Sequence, residues 1–433
     1  MCYLAGRQFA IMKRSRKTSQ RAFTIEALAE YLVAILVQGA FLSMILKKMD
    51  ISDATIGIVS SFISLTCCIQ LFSNLIEKPG RKLRRVIINL TFINELLFAG
   101  LYLIPLFPIS GSVKTVLFIV VILGAYFFLN ISTPAKYRWL MMSVEDHQRG
   151  RFTAKKEMIS LIGGMIFSLS MGYIVDRYNG LGNSNTGFAI CCIWIFAVMI
   201  VHITALCFVE DSTVNYIRRE RQLTKMLSFF KDNKPLRRLL VVDILYRTAT
   251  GITVPFYGTY LIGELGFTLT QVSVIGIAYS VTRCIASPLM GRYADKKGWS
   301  KLLSICFLIA AIGFAVNFLA APETRYLYIV GHCLYAIAMA GLNSGIVNIT
   351  FDYIDTEHFS AAMGMRNALG GVIGFLMTVL GSRVISAIQA NDNSLFGIPL
   401  YAQQALSILT CAIMIITVLY IRAVIARLPK LPS

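Results

Sequence analysis

Twelve runs of about twenty mostly apolar residues fill this sequence. That repetition constrains the fold more than any single motif does. The hydrocarbon core of a bilayer takes about 20 helical residues to cross, and it offers no water to satisfy the backbone. Each run is therefore expected to be a membrane-spanning helix. The runs fall at 22–46, 52–76, 86–108, 114–140, 155–176, 187–209, 237–263, 270–291, 302–320, 326–351, 360–388 and 398–421. Composition agrees: only 15% of the 433 residues are charged, and mean hydropathy is +0.68. A water-soluble domain carries about 25% charged residues, so the lipid bilayer is the expected solvent and the fold class is an all-α membrane protein.

The net charge of +19 would point to nucleic acid in a soluble protein. Here the cations gather in the connections between runs, where they report topology, and no nucleic-acid partner is expected. With the N-terminus placed in the cytoplasm, 31 of the 41 Lys and Arg fall in or beside inner segments. Five fall in outer loops: Lys47, Lys48, Lys114, Arg177 and Arg325. Five more lie within runs: Lys136, Arg138, Arg247, Arg283 and Arg383. Both termini are therefore expected inside. The first 21 residues are basic and carry no signal-peptide pattern, so residues 1–21 read as a cytoplasmic arm. They are followed by a six-helix bundle (22–209), an inner loop (210–236), a second bundle (237–421) and a tail (422–433). The ten cysteines lie mostly inside apolar runs and read as small buried hydrophobes. No metal-ligand cluster stands out among four histidines, and no P-loop is present. No metal or cofactor is expected, and energy should come from an ion gradient.

The halves look like repeats. SNLIEKPGRK (73–82) follows the second run and GRYADKKGWS (291–300) follows the eighth, aligning Glu77 with Asp295, Lys78 with Lys296 and Gly80 with Gly298. Gly298 permits a sharp turn, and Gly291 would let neighbouring helices approach closely. The pattern Gly291, Asp295, Lys296, Gly298, Lys301 resembles the cytoplasmic loop signature of the major facilitator superfamily. RGRF (149–152), after the fourth run, is similar to that superfamily as well. The resemblance implies two pseudo-symmetric six-helix bundles around a central pathway, alternating access, and an inner latch in which Glu77 and Asp295 are the acids and Arg149 and Arg151 partner Glu77. The alternative reading of these charges is topology anchoring alone. The G-P-x-x-G-G pattern of drug–proton antiporters is absent from the fifth run, ISLIGGMIFSLSMG.

Ionisable groups inside spans are costly and functional by default. Glu26 and Glu30 stand one turn apart on one face of the first run. A shift of 217 residues places Asp243 and Arg247 at the same spacing in the seventh. Tyr257 shares that face, Arg283 and Tyr279 lie in the eighth run, and Asn130 in the fourth. Arg247, Arg283, Tyr279, Tyr257 and Asn130 are candidate cavity residues. Glu30, then Asp243, then Glu26 are candidate carriers of a coupling proton, against the alternative of a fixed salt bridge. Asp243 could pair with Arg247, and Glu30 with Arg247. Lys136 and Arg138 are expected to snorkel to the headgroups. His332 reads as a packing residue, and Glu95 is open between a neighbouring helix and the pathway. The expectation is a monomeric secondary transporter of a small organic solute in a bacterial cytoplasmic membrane, driven by protons, with sodium as the alternative ion. The competing readings are a drug or metabolite efflux antiporter and a non-transporting membrane sensor. A membrane enzyme is not expected, because no nucleophile or acid–base set clusters at an interface.

Overall fold

The structure, a computed structural model, describes residues 2–75, 83–144, 149–210, 233–354, 356–395 and 398–429. Among them twelve helices are long and apolar enough to cross a membrane, one for each apolar run. They are Arg16–Lys48, Asp53–Phe72, Leu83–Leu106, Gly111–Tyr137, Lys155–Gly180, Ser184–Cys207, Lys234–Glu264, Leu269–Lys297, Trp299–Phe318, Leu327–Thr350, Ala362–Gln389 and Ala402–Arg427. These are called the first to twelfth spans below. The one β feature among the described residues is a two-residue antiparallel ladder, Ser394–Leu395 with Ile398–Pro399. Within the spans, large apolar side chains such as Val116, Ile166, Ile193, Ile285 and Leu419 are exposed, as side chains that face lipid would be.

Local sequence sets the ends. A single helix covers Cys2–Leu36, so the backbone of the basic arm runs into the first span without a break. That span is interrupted at Val37–Gln38 and resumes at Gly39, whose φ of +55° suits glycine. Asn233 caps the seventh span by accepting from the Leu236 N–H at 2.8 Å. Thr268 and Gln271 form a capping box at the start of the eighth. Gly298, at φ +86°, ends the eighth span and begins the ninth, as the sequence predicts for a sharp turn.

The chain divides into two compact units. The first takes Met1–Asp50 and Ile69–Arg218, and the second takes Ile51–Cys68 and Arg219–Ser433. In the first unit the first span packs on the fifth and sixth, and the third packs on the fourth and sixth. In the second unit the seventh packs on the eleventh and twelfth, and the ninth on the tenth and twelfth. Each pairing recurs six spans later, as two copies of one six-helix bundle require.

The unit boundary departs from the sequence reading at one place, since the early part of the second span groups with the C-terminal bundle. Close packing explains this. A Cβ on Gly57 would collide with the Phe256 ring, and one on Gly371 would lie 2.3 Å from the Ser64 carbonyl oxygen. Phe62 and Phe375 rings sit 6.1 Å apart, and Gln389 donates to Asp53 at 3.0 Å. Small residues let helix backbones meet where lipid supplies no hydrophobic drive.

The expectation for Gly291 needs correction, because a Cβ there would meet nothing within 4 Å. The close approach lies elsewhere in the second unit, between the ninth and tenth spans: a Cβ on Gly313 would lie 2.8 Å from the Gly331 carbonyl oxygen. Gly313→Val should therefore cost about 1–3 kcal/mol of stability, and Gly291→Ala should leave stability unchanged or slightly raised. Thermal unfolding of the two variants in detergent checks this; equal midpoints would show that the Gly313 contact gives way freely.

Candidate functional site: a buried charge cluster in the first unit

Glu26 and Glu30 do lie on one face of the first span, and the fourth span brings Lys136 to both. The Lys136 ammonium stands 2.8 Å from Glu26 Oε1 and also donates to Glu30 Oε2. Pro134, two residues before Lys136, lacks the N–H of a regular helical turn, yet the helix runs from Gly111 to Met142 through it. Exposure grades the cluster: the side chains of Glu26 and Lys136 are 3% and 9% exposed, and that of Glu30 is 36%. Lys136 thus does not snorkel. Its charge is held inside the bundle because two carboxylates one turn apart offer more than distant headgroups could.

The cluster continues inward. His202 on the sixth span points Nε2 at Glu26 Oε1, 3.7 Å away, and its Nδ1 lies 2.6 Å from Glu95 Oε1 on the third. Glu95 and His202 are both buried, which settles Glu95 as facing a neighbouring helix. Three acids and two bases form one chain: Glu30, Lys136, Glu26, His202, Glu95. Donor atoms of Glu26, Glu30 and His202 lie within 4.8 Å of one another, compact enough for a cation. Lys136 already bonds both carboxylates, so an ammonium occupies the place a metal ion would need.

A cavity of about 270 Å³ opens on this cluster. Its wall includes Glu26, Glu30 and Lys136, the rings of Tyr31 and Tyr137, and the charges of Lys156 and Glu157. Lys156 lies over the Tyr137 ring, 5.8 Å from its centre. Asn130 is not part of that wall. It is buried in the first unit, where its carboxamide accepts from Gln70 at 2.8 Å and donates to the Tyr126 carbonyl at 3.1 Å.

The second unit treats its charges differently. Asp243 is buried and takes a two-pronged bond from Arg366 on the eleventh span, with Nη2 to Oδ1 at 2.8 Å. Arg366 also donates to the Ile346 carbonyl at 3.0 Å and to Thr350. Asp243 therefore pairs with Arg366, where the sequence reading offered Arg247. The planar guanidinium matches a carboxylate better than an i,i+4 neighbour on the same helix can. Arg247 is half-buried, with its guanidinium 5.9 Å from the Tyr246 ring centre. Arg283 is half-buried, and its carbonyl accepts from Ser287. Tyr257 and Tyr279 belong to a ring cluster with Tyr328, Tyr335 and His332; the Tyr279 and His332 centres are 4.7 Å apart.

Of the loop motif, Asp295 and Lys296 are exposed on the last turn of the eighth span. Glu77 and Gly80 lie outside the described residues. Arg149 and Arg151 are helical in backbone, and their side chains lie outside the description.

Residues 239–432 match the family model of the Major Facilitator Superfamily. The match spans the C-terminal bundle and tail, under half of the chain. The fold of solved transporters runs through both halves. The nucleoside transporter NupG superposes with a TM-score of 0.69 at 12% identity, over 93% of this chain and 98% of NupG. A D-xylose-proton symporter superposes at 0.67 and 12%, over 92% and 96% of the two chains. Both are transporters, not enzymes. By sequence, a 125-residue stretch is 34% identical to the Bacillibactin exporter of Bacillus subtilis (strain 168). That stretch is 27% of this chain, and it spans about a third of the exporter's length.

Breaking the Asp243–Arg366 pair should be costly, because Arg366→Met strands a buried carboxylate. The expected loss is about 3–5 kcal/mol. Asp243→Asn combined with Arg366→Met should recover most of it. Thermal unfolding of the full chain decides: a single variant that melts like wild type would mean that the pair carries no structural load.

Proposed function

We propose that this protein is a secondary active transporter of a small organic solute, working by alternating access and coupled to protons. The observation that carries the reading is the Glu26–Lys136–Glu30 cluster on the wall of a cavity. One ammonium serves two carboxylates, so the group holds one negative charge more than it neutralises. Proton binding at the half-exposed Glu30 removes that surplus and releases the Lys136 ammonium to Glu26 alone. A charge that can be cancelled by a proton from the cavity is what coupling needs. Asp243 lacks this freedom, since Arg366 matches it one to one. The order of coupling candidates is then Glu30, Glu26, Asp243.

The distribution of Lys and Arg supports both termini in the cytoplasm of a cell whose outer boundary is this membrane. The exposed Asp295 and Lys296 support an inner latch at the loop after the eighth span. Export is the second reading, favoured by the 34% identical stretch shared with the Bacillibactin exporter.

The test is a labelled-solute screen in proteoliposomes with an imposed pH gradient, beginning with nucleosides and pentoses, in wild type and Glu30→Gln. Wild type should move at least one solute against its gradient. Glu30→Gln should lose at least about tenfold of the pH-driven rate and keep exchange at equal pH. Full pH-driven transport by Glu30→Gln would remove the proton role from that residue. Transport indifferent to the gradient would leave sodium coupling or facilitated diffusion. Accumulation in everted vesicles, and none in right-side-out ones, would identify an exporter.

A further inference from the structure

We propose that His202 and Glu95 form a proton store behind the cavity, filled and emptied through Glu26. The inference rests on the proton-coupled reading above and adds a second station to it. The pair lies in the packed interior where the first, third and sixth spans meet, and neither residue lines the cavity. Glu26 does line it, and Glu26 Oε1 is the junction, 2.8 Å from the Lys136 ammonium on one side and 3.7 Å from His202 Nε2 on the other.

Proton counting shows why the pair is more than a staple. The 2.6 Å contact between His202 Nδ1 and Glu95 Oε1 requires one proton between them. If the imidazole holds only that proton, Nε2 presents a lone pair to the Glu26 carboxylate, acceptor against acceptor. A second proton, on Nε2 or on Glu26 Oε1, turns that repulsion into an attraction. Without it, five groups carry three negative charges and one positive charge in a buried site; with it, the surplus falls to a single negative charge. Uncompensated buried charge is strongly unfavourable, so the second proton has a place prepared for it. One atom marks that place: His202 Nε2 is buried with no hydrogen-bond partner among the described residues.

The surroundings leave Glu26 as the door. The sixth span packs on the first, third and fifth. The first presents Glu26, with Glu30 beyond it on Lys136. The third presents Glu95, and its Arg84 reaches the Cys207 carbonyl at the end of the sixth span, 3.5 Å away. The fifth presents Lys156 and Glu157 to the cavity. The transfer is a simple one. Glu26 Oε1–H breaks and His202 Nε2–H forms, leaving a Glu26 carboxylate and an imidazolium whose Nδ1 proton stays on the bond to Glu95. Closing 3.7 Å to hydrogen-bond range takes a shift of about 1 Å.

The experiment reads the ring itself. The full chain contains four histidines; labelled with ¹⁵N-histidine and held in lipid nanodiscs, it gives four pairs of ring-nitrogen signals. His202→Gln assigns the His202 pair, and if that variant does not fold, single Gln substitutions at His147, His332 and His358 assign it by elimination. Between about pH 5 and pH 11, the His202 ring should pass between its doubly and singly protonated forms. In Glu26→Gln it should hold its second proton at least about tenfold less tightly, a shift of one pH unit or more, while His332 stays unchanged. A His202 ring that keeps one state throughout, or the same midpoint in wild type and Glu26→Gln, would overturn the store and leave a structural tie. The readout needs no solute. A Glu26-linked His202 titration with no effect of Glu30→Gln on transport would sink the coupling reading alone, and the reverse pattern would sink the store alone.

Discussion

The absence of water in the hydrocarbon core governs this molecule. It forces the backbone into helices, and it forces polar side chains to find partners inside the protein. Hydroxyls turn back onto their own helices, as Thr66, Thr133, Thr204 and Thr250 do toward carbonyls four residues earlier. Buried amides reach between helices: Asn94 donates to the Ala125 carbonyl, and Gln403 to that of Thr253. Charges obey the same demand at a higher cost, so each intramembrane ion in the described bundles is read best by asking what neutralises it.

Asked that way, the two halves diverge from a common plan. Glu26 and Asp243 occupy equivalent positions, 217 residues apart, on the first spans of their bundles. Asp243 meets a guanidinium from the eleventh span, and Thr350 and the Ile346 carbonyl take up further donors of the same arginine. The carboxylate there is matched on both oxygens. Glu26 meets an ammonium from the fourth span and must share it with Glu30, while an imidazole waits on its other side. An arginine cannot give up its proton and is locked in a planar grip; a lysine is a point charge that can swing between two acids. The choice of cation thus separates a strut from a switch.

Much of the fold was legible in the sequence because its largest signals are long. Twelve apolar runs, their spacing and the offset copies of one loop motif gave twelve spans in two similar bundles. The second span shows where that reasoning stops. Nothing in its composition reveals that its first part packs on the seventh and eleventh spans, since the cause is the fit of Gly57 to Phe256 and of Gly371 to Ser64. The site was half legible. The spacing of Glu26 and Glu30 placed them on one face, and Glu95 drew notice as an acid within a span. Lys136 was misplaced, because a lysine near a span end snorkels by default and only the fold puts two acids beside it. Arg366 stood too close to the inner end of its run to count as buried. His202, in VMIVHITAL, carried a usable signal: it is an ionisable group at the heart of an apolar run.

The imbalance of charge, more than its presence, makes the first unit the candidate for coupling. A buried pair of equal and opposite charges has one favoured protonation state, and changing it strands a charge. A buried chain of three acids and two bases has several states that differ by one proton and by small shifts of Lys136 and His202. Its members also differ in exposure: Glu30 stands partly open on the cavity wall, while Glu26 and Glu95 are both buried. Such a chain can take a proton from water at one end and hold it away from water at the other. An ion-driven carrier has to keep its driving ion from leaking while the pathway changes sides. Glu26, the one acid in contact with both the cavity and the interior histidine, is where that separation would be made.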